Sequence, residues 1–141
     1  MALVQGAADV GIIFKSSNYS NLTLSNQGRE EIYIKLAEFP FDSTRKCMSV
    51  IVRDKKTNVV TLYTKGADNV MLEKIHFPER SQMKEQAVSD LYKYSCEGYR
   101  TLVIASRVVP ESEYKGFDSV HKQVQQSTSI FKQRQLSELY Q

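Results

Sequence analysis

The sequence predicts an α/β fold of the α+β kind: a mainly antiparallel twisted β-sheet flanked by helices. The first observation behind this is a hairpin. Two β-rich runs, 48–53 and 59–65, surround the polar turn Asp54-Lys55-Lys56-Thr57-Asn58, and strands joined so closely pair antiparallel. The second is period. Ile32, Ile34 and Leu36 alternate with Tyr33 and Lys35, whereas Met83, Ala87, Leu91 and Tyr94 keep helical spacing. The third is composition. At 141 residues, 41% hydrophobic and 25% charged, the chain has the make-up of one globular domain with a core of its own.

In chain order, 1–10 reads as a helix that begins without an N-cap, as a piece excised from a longer chain would. Gly11 ends it and 12–14 forms a short strand. The stretch 16–27 is polar and turn-rich, with Leu22 and Leu24 as a weak strand. Pro40 breaks the next segment, so Phe41 is expected in a loop. After the hairpin, 67–76 reads as a helix capped by Asp68 or Asn69 and stopped by Phe77-Pro78. A longer helix covers 79–97, with Gly98 as its C′ glycine. The apolar run 102–105 predicts a strand buried on both faces. Pro110-Glu111 opens a helical turn that Gly116 interrupts. Asp118 caps a further helix, and the tail 129–141 is helical again.

Several function classes are excluded. A net charge of +3 with scattered Lys and Arg does not argue for nucleic acid. Cys47 and Cys96 form no CxxC, and His76 and His121 give no zinc-ligand spacing, so no metal site is expected. Both thiols read as reduced and partly buried, and both histidines as surface residues. No apolar run approaches the roughly 20 residues needed to cross a bilayer, and no signal peptide is visible. P-loop and GxGxxG patterns are absent, and no carboxylate pair or Ser/His/Asp set reads as catalytic.

One constellation remains. Folding the hairpin about its turn pairs Lys46 with Gly66 and Cys47 with Lys65, within a slip of a residue or two. Lys46 and Lys65 then emerge at one open end, where an anion would relieve their repulsion. Gly66 and Ala67 lead into a helix start, which favours an anion. Phe41 lies five residues before Lys46. An aromatic face near two cations suits a nucleotide. Strand-end lysines are more often solvated, however, and a Phe between strands is more often core, so both readings stand at this level.

The same residues carry a resemblance. Phe41-Asp42-Ser43-Thr44-Arg45-Lys46-Cys47-Met48-Ser49-Val50 is similar to the signature of the nucleotide-binding domain of P-type ATPases, in the form of the P4 class, the phospholipid flippases. Lys65-Gly66-Ala67-Asp68 resembles its Lys-Gly-Ala-Asp motif, and Glu97-Gly98-Tyr99-Arg100-Thr101-Leu102 its Glu-Gly-Leu-Arg-Thr-Leu. Ala2-Leu3-Val4 and Gly11-Ile12-Ile13-Phe14 match the opening stretch, and Ser127-Thr128-Ser129 the closing one. The resemblance runs nearly end to end, so 1–141 is expected to be one nucleotide-binding domain.

The resemblance implies that Phe41 stacks on adenine and that Lys65 lines the pocket beneath the ring, with Gly66 and Ala67 beside it. Lys46 and Arg100 would reach the phosphates, and Ser43 would be a hydrogen-bonding rim residue. It implies ATP as ligand, with Mg2+ joining at the phosphorylation domain of a parent ATPase. The partners it implies are the phosphorylation and actuator domains of that parent and an accessory subunit. The piece itself is expected to be a monomeric cytosolic domain of a multi-pass membrane protein, and not membrane-inserted. The phosphorylated aspartate of the family's Asp-Lys-Thr-Gly-Thr motif is not in the sequence, so no catalytic residue is assigned and binding without turnover is expected. Met1 stands at the family's acidic adenine-side position, Cys47 at a usually basic one and Tyr99 at a usual Leu. The alternatives are the corresponding domain of a cation-transporting P-type pump, or a non-enzymatic module for anionic ligands.

Overall fold

A computed structural model of the chain describes residues 2–78 and 82–126. Helix α1 (Ala2–Asp9) ends at Gly11, whose φ of +87° suits a residue without Cβ and whose N–H returns to the Ala8 carbonyl at 2.9 Å. Strand β1 (Ile12–Ser17) extends beyond the expected 12–14 and pairs antiparallel with β2 (Asn21–Asn26). Asn18 shapes the turn between them, its Oδ1 accepting from the Ser20 and Asn21 amides at 3.1 and 2.7 Å.

β2 then pairs antiparallel with β3 (Arg29–Asp42), Asn26 opposite Arg29 and Asn21 opposite Ile34. The two-residue turn, Gln27-Gly28, has φ of +48° and +82°. Two left-handed residues twist a hairpin in the sense its strands require.

The first difference from expectation is that β3 continues through Pro40 to Asp42, so Phe41 ends a strand and is not in a loop. The register with β2 stops at Ile34. Proline lacks an N–H to donate, and here it falls on a stretch of β3 that β2 does not cover.

Strands β4 (Cys47–Asp54) and β5 (Val60–Gly66) form the expected hairpin. The Asp54 amide donates to the Val59 carbonyl at 3.0 Å, and its Oδ1 accepts from the Lys56 and Thr57 amides. Those bonds hold the Asp54 carboxyl below the usual range. With β6 (Val103–Val109), the strands pair in the order β1-β2-β3-β4-β5-β6. This is the antiparallel sheet with flanking helices that the sequence predicts.

The chain divides into two compact units. The first lies within 1–39, 50–62 and 107–141. Its core is Ala37, Phe39, Ile51, Val60 and Val109, with Leu36, Leu62, Tyr114 and Phe117 packed against it. Helix α4 (Glu111–Gln126) supplies the last two. The Phe39 and Phe117 rings meet edge to face at 5.9 Å, and His121 stacks on Phe117 at 5.2 Å. Aromatic contacts of this geometry add about 0.5–1.5 kcal/mol beyond burial. Arg53 makes a bidentate pair with Glu111 at 2.9 and 3.2 Å and lies over the Tyr114 ring.

Three expectations fail in this unit. Helix α4 is continuous through Gly116; one glycine costs a helix about 1 kcal/mol, which the packing of Tyr114 and Phe117 outweighs. Asp118 is not a cap but a mid-helix residue, paired with Lys122 one turn on at 2.6 Å. His121 is buried, 8% exposed, not on the surface. Burial lowers its pKa, against the opposing pull of the Asp118 carboxylate.

The second unit lies within 40–49 and 63–106. It holds α2 (Asp68–Lys74), whose Met71 is buried, and α3 (Met83–Cys96). Ala67, not Asp68 or Asn69, occupies the N-cap of α2, without a side-chain cap bond. The C-terminus of α3 is as expected: the Gly98 amide bonds Ser95 O and the Tyr99 amide bonds Tyr94 O, both at 3.0 Å, with Gly98 at φ +81°. This is the double closure of a Schellman motif.

β6, last in the strand order, is not buried on both faces. Leu102 and Ile104 are 48% and 60% exposed, whereas Val103 and Ala105 are half-buried. A short apolar run cannot by itself tell one covered face from two. His76 is exposed as expected. Residues 79–81, the expected start of α3, and the tail 129–141 lie outside the described residues. Among the described residues no helix is long and apolar enough to cross a membrane.

Candidate functional site

All seven predicted site residues belong to the second unit. The end of β3 and its connection to β4 carry three of them, Phe41, Ser43 and Lys46, and Asp42 shapes that connection. The Asp42 Oδ1 accepts from the Thr44 and Arg45 amides, both at 2.9 Å, and its carbonyl accepts from the Lys46 amide at 2.7 Å. These amides, that of Arg45 foremost, draw the Asp42 carboxyl below the usual carboxylate range. Arg45 folds back so that Nη2 donates to the Pro40 carbonyl at 2.9 Å. Lys46 closes the turn in the left-handed region, φ +51°. Phe41, at the end of β3, is 66% exposed, and Ser43 is exposed beside it.

The Lys46 carbonyl accepts from the Ala67 amide at 3.0 Å, which joins this turn to the end of β5. A Cβ built on Gly66 would lie 2.6 Å from Cys47 Cβ and 2.7 Å from Lys46 O. Cys47, not Lys46, is therefore the neighbour of Gly66 across the hairpin, a slip of one residue from the expected pairing. The Ser49 and Thr64 hydroxyls, 2.9 Å apart, keep the same register. Thus Lys46, Gly66 and Ala67 come together, with Lys65 half-buried next in the strand. Arg100, exposed between α3 and β6, is tied to none of them by a hydrogen bond or ion pair.

Gly66 is required by the close approach of Cys47 and the Lys46 carbonyl. One reading of the sequence changes. The Ala67 N–H is used by Lys46 O, and α2 has only seven residues, so the helix start offers little to an anion. The cations do. Among the described residues, Lys46, Lys65 and Arg100 have no carboxylate partner, whereas Lys35, Arg53, Arg107 and Lys122 each have one. Both thiols are free, Cys47 buried and Cys96 exposed.

Sequence reasoning missed Asp42 and Arg45 as shapers of the turn. The signal was present: Asp followed by polar residues at two and three positions is a capping pattern. A concavity of about 620 Å³ along α3 is lined by Lys84, Glu85, Val88, Ser89 and Tyr92, and by none of the predicted residues. It is the outer side of one helix, with no described residue from a second element. No group of three or more His, Cys, Asp or Glu could hold a metal ion among the described residues.

Over residues 1–137 the sequence matches the family described as P-type ATPase, cytoplasmic domain N. The chain belongs to that family. It is 38% identical over 122 residues to phospholipid-transporting ATPase IK of Homo sapiens, covering 86% of this chain and 9% of that protein. It is 39% identical over 124 residues to phospholipid-transporting ATPase DRS2 of Saccharomyces cerevisiae, again 86% and 9%. With the probable phospholipid-transporting ATPase IM of Homo sapiens it shares 35% over 133 residues, 94% and 11%. The chain thus spans about a tenth of the length of the curated relatives it matches.

Proposed function

We propose that this N domain binds ATP for a phospholipid-translocating P-type ATPase and presents the γ-phosphate to an aspartate in a separate phosphorylation domain. The observation that carries the reading is the open end of the β4–β5 hairpin. There Lys46, Gly66 and Ala67 are drawn together, with Lys65 beside them and an exposed Phe41 at the start of the turn. Lys46 and Lys65 have no carboxylate partner among the described residues, the condition in which they are available to an anion.

In this reading Phe41 stacks on adenine, Lys65 lines the pocket beneath the ring beside Gly66 and Ala67, and Ser43 hydrogen-bonds at the rim. Lys46 and Arg100 hold the phosphates, the planar guanidinium gripping two oxygens at once. Mg2+ joins at the phosphorylation domain of the parent. The partners are the phosphorylation and actuator domains of the parent chain, with an accessory subunit of that ATPase. The N domain faces the cytosol as a monomer within a multi-pass membrane protein. The relatives named as phospholipid-transporting favour a flippase over a cation pump as the parent.

The test is a titration of the isotope-labelled chain with ATP up to millimolar concentration, followed by NMR. Backbone signals of Phe41, Lys46, Lys65 and Arg100 are expected to shift together, without ATP hydrolysis. Phe41→Ala should weaken binding about 10-fold, in keeping with ring–base stacking of about 1–3 kcal/mol. A titration that moves none of these signals would overturn the reading.

A further inference from the structure

We propose that Asp42 is a positioning residue of the nucleotide site, fixing through its hydrogen bonds the direction in which Phe41 and Lys46 are presented. The inference rests on the nucleotide reading above and adds a residue that touches no ligand.

The argument starts from exposure. A phenylalanine that is 66% exposed and a lysine at an exposed turn are not oriented by burial. Something else must hold them if they are to meet a ligand in one geometry, and flexible groups lose affinity to ordering. Three hydrogen bonds of this turn end on Asp42. Its carboxylate takes the Thr44 and Arg45 amides, and its carbonyl takes the Lys46 amide. Arg45, placed by the Asp42 carboxylate, reaches back to the Pro40 carbonyl, so the peptide that precedes Phe41 is anchored as well. Lys46 is thereby held at φ +51°, and its carbonyl is aimed at the Ala67 amide. Asp42 is itself exposed and belongs to no core cluster. A negative charge beside a polyphosphate site is unfavourable in itself. Its hydrogen-bonding oxygen, not its charge, is what the turn uses.

The charge and the oxygen can be separated. Asn keeps an acceptor at the same place without charge, and Ala keeps neither. ATP titrations of the 141-residue chain should show Asp42→Ala weakened about five- to ten-fold, and Asp42→Asn within about two-fold of the unaltered chain. The Thr44 and Arg45 amides should be slow to exchange with solvent in the unaltered and Asn chains and fast in the Ala chain. The methyl signals of Ile51 and Val60 should stay in place in both variants, and the urea midpoint of the Ala chain should fall only slightly. If Asp42→Ala fails to fold, Asp42→Ser, which keeps one acceptor oxygen on a shorter arm, replaces it and should fall between Asn and Ala. An Ala chain that binds ATP as the unaltered one does overturns the inference alone. So does an Asn chain as weak as the Ala chain, since charge would then be the operative property. An unaltered chain that binds no ATP overturns the nucleotide reading, and this inference with it.

Discussion

Phe39 and Phe41 stand two residues apart on β3 and meet opposite surroundings. Phe39 is 5% exposed and packed with Phe117 and His121; Phe41 is 66% exposed. Around Phe39 the cations are matched, as where Arg53 pairs with Glu111 over Tyr114. Near Phe41, Lys46 and Lys65 have no carboxylate partner among the described residues. One exposed aromatic side chain is ordinary on a protein surface. Phe41 is followed by a hydrogen-bonded turn whose Lys46 has no carboxylate partner among the described residues, and that combination motivates the proposed site. The difference separates residues that make the domain from residues the domain carries.

The sharpest way to break this contrast is to truncate each ring. Phe39→Ala should lower the unfolding free energy by about 3–5 kcal/mol, read as a lower urea midpoint with an unchanged slope. Phe41→Ala should leave the midpoint within the range of surface changes, about 0.5 kcal/mol, while ATP affinity falls. Equal stability losses in the two would collapse the distinction.

Gly66→Ala comes next. Its new Cβ would sit 2.6 Å from Cys47 Cβ and 2.7 Å from a backbone carbonyl that cannot swing away. Overpacking of this kind costs about 1–3 kcal/mol, and ATP binding should weaken with it, because the Lys46–Ala67 bond must shift. A stable Gly66→Ala chain with normal binding would show that the hairpin end has more room than its geometry allows.

The smallest effect is in pH. His121 has its pKa lowered from 6.5 by burial. Between that lowered value and 6.5 the unfolded chain binds more protons than the folded one, so stability rises with pH. The contribution is fully present above about pH 6.5 and is lost as pH falls toward the folded value. Thermal melts from pH 7.5 to 5 should show that decline, and His121→Phe, which keeps an aromatic ring without the titration, should flatten it. A slope that survives the substitution would assign the decline to other groups.

How much was legible in the sequence follows the range of the interactions. The α3 terminus was readable because Gly98 closes it through bonds within five residues. The hairpin was readable to within one residue because its turn chemistry is local. By contrast, Gly116 and Asp118 read as a break and a cap. Their continuous helix depends on Tyr114 and Phe117 packing on a core from distant strands. His121 read as surface for the same reason. Phe41 was placed in a loop by the rule that proline interrupts a strand; that rule yields where the neighbouring strand has already stopped pairing. At the candidate site hairpin symmetry brought Lys46 and Gly66 to one end of the sheet, one residue out of register. Which backbone groups were already spoken for was not legible, because the Ala67–Lys46 bond depends on a turn that Asp42 organises.

Position 46 carries a consequence of its own. Its backbone lies at φ +51°, a conformation that glycine or asparagine adopts easily and a lysine with its Cβ does not. Stability and charge therefore pull in opposite directions at one residue. A chain selected for folding alone would relax that turn, and in doing so would give up the ammonium group that faces solvent there. Asn58 closes the next turn in the same conformation, φ +60°, with a residue type that adopts it at little cost; position 46 keeps a charge where such a residue would fit more easily.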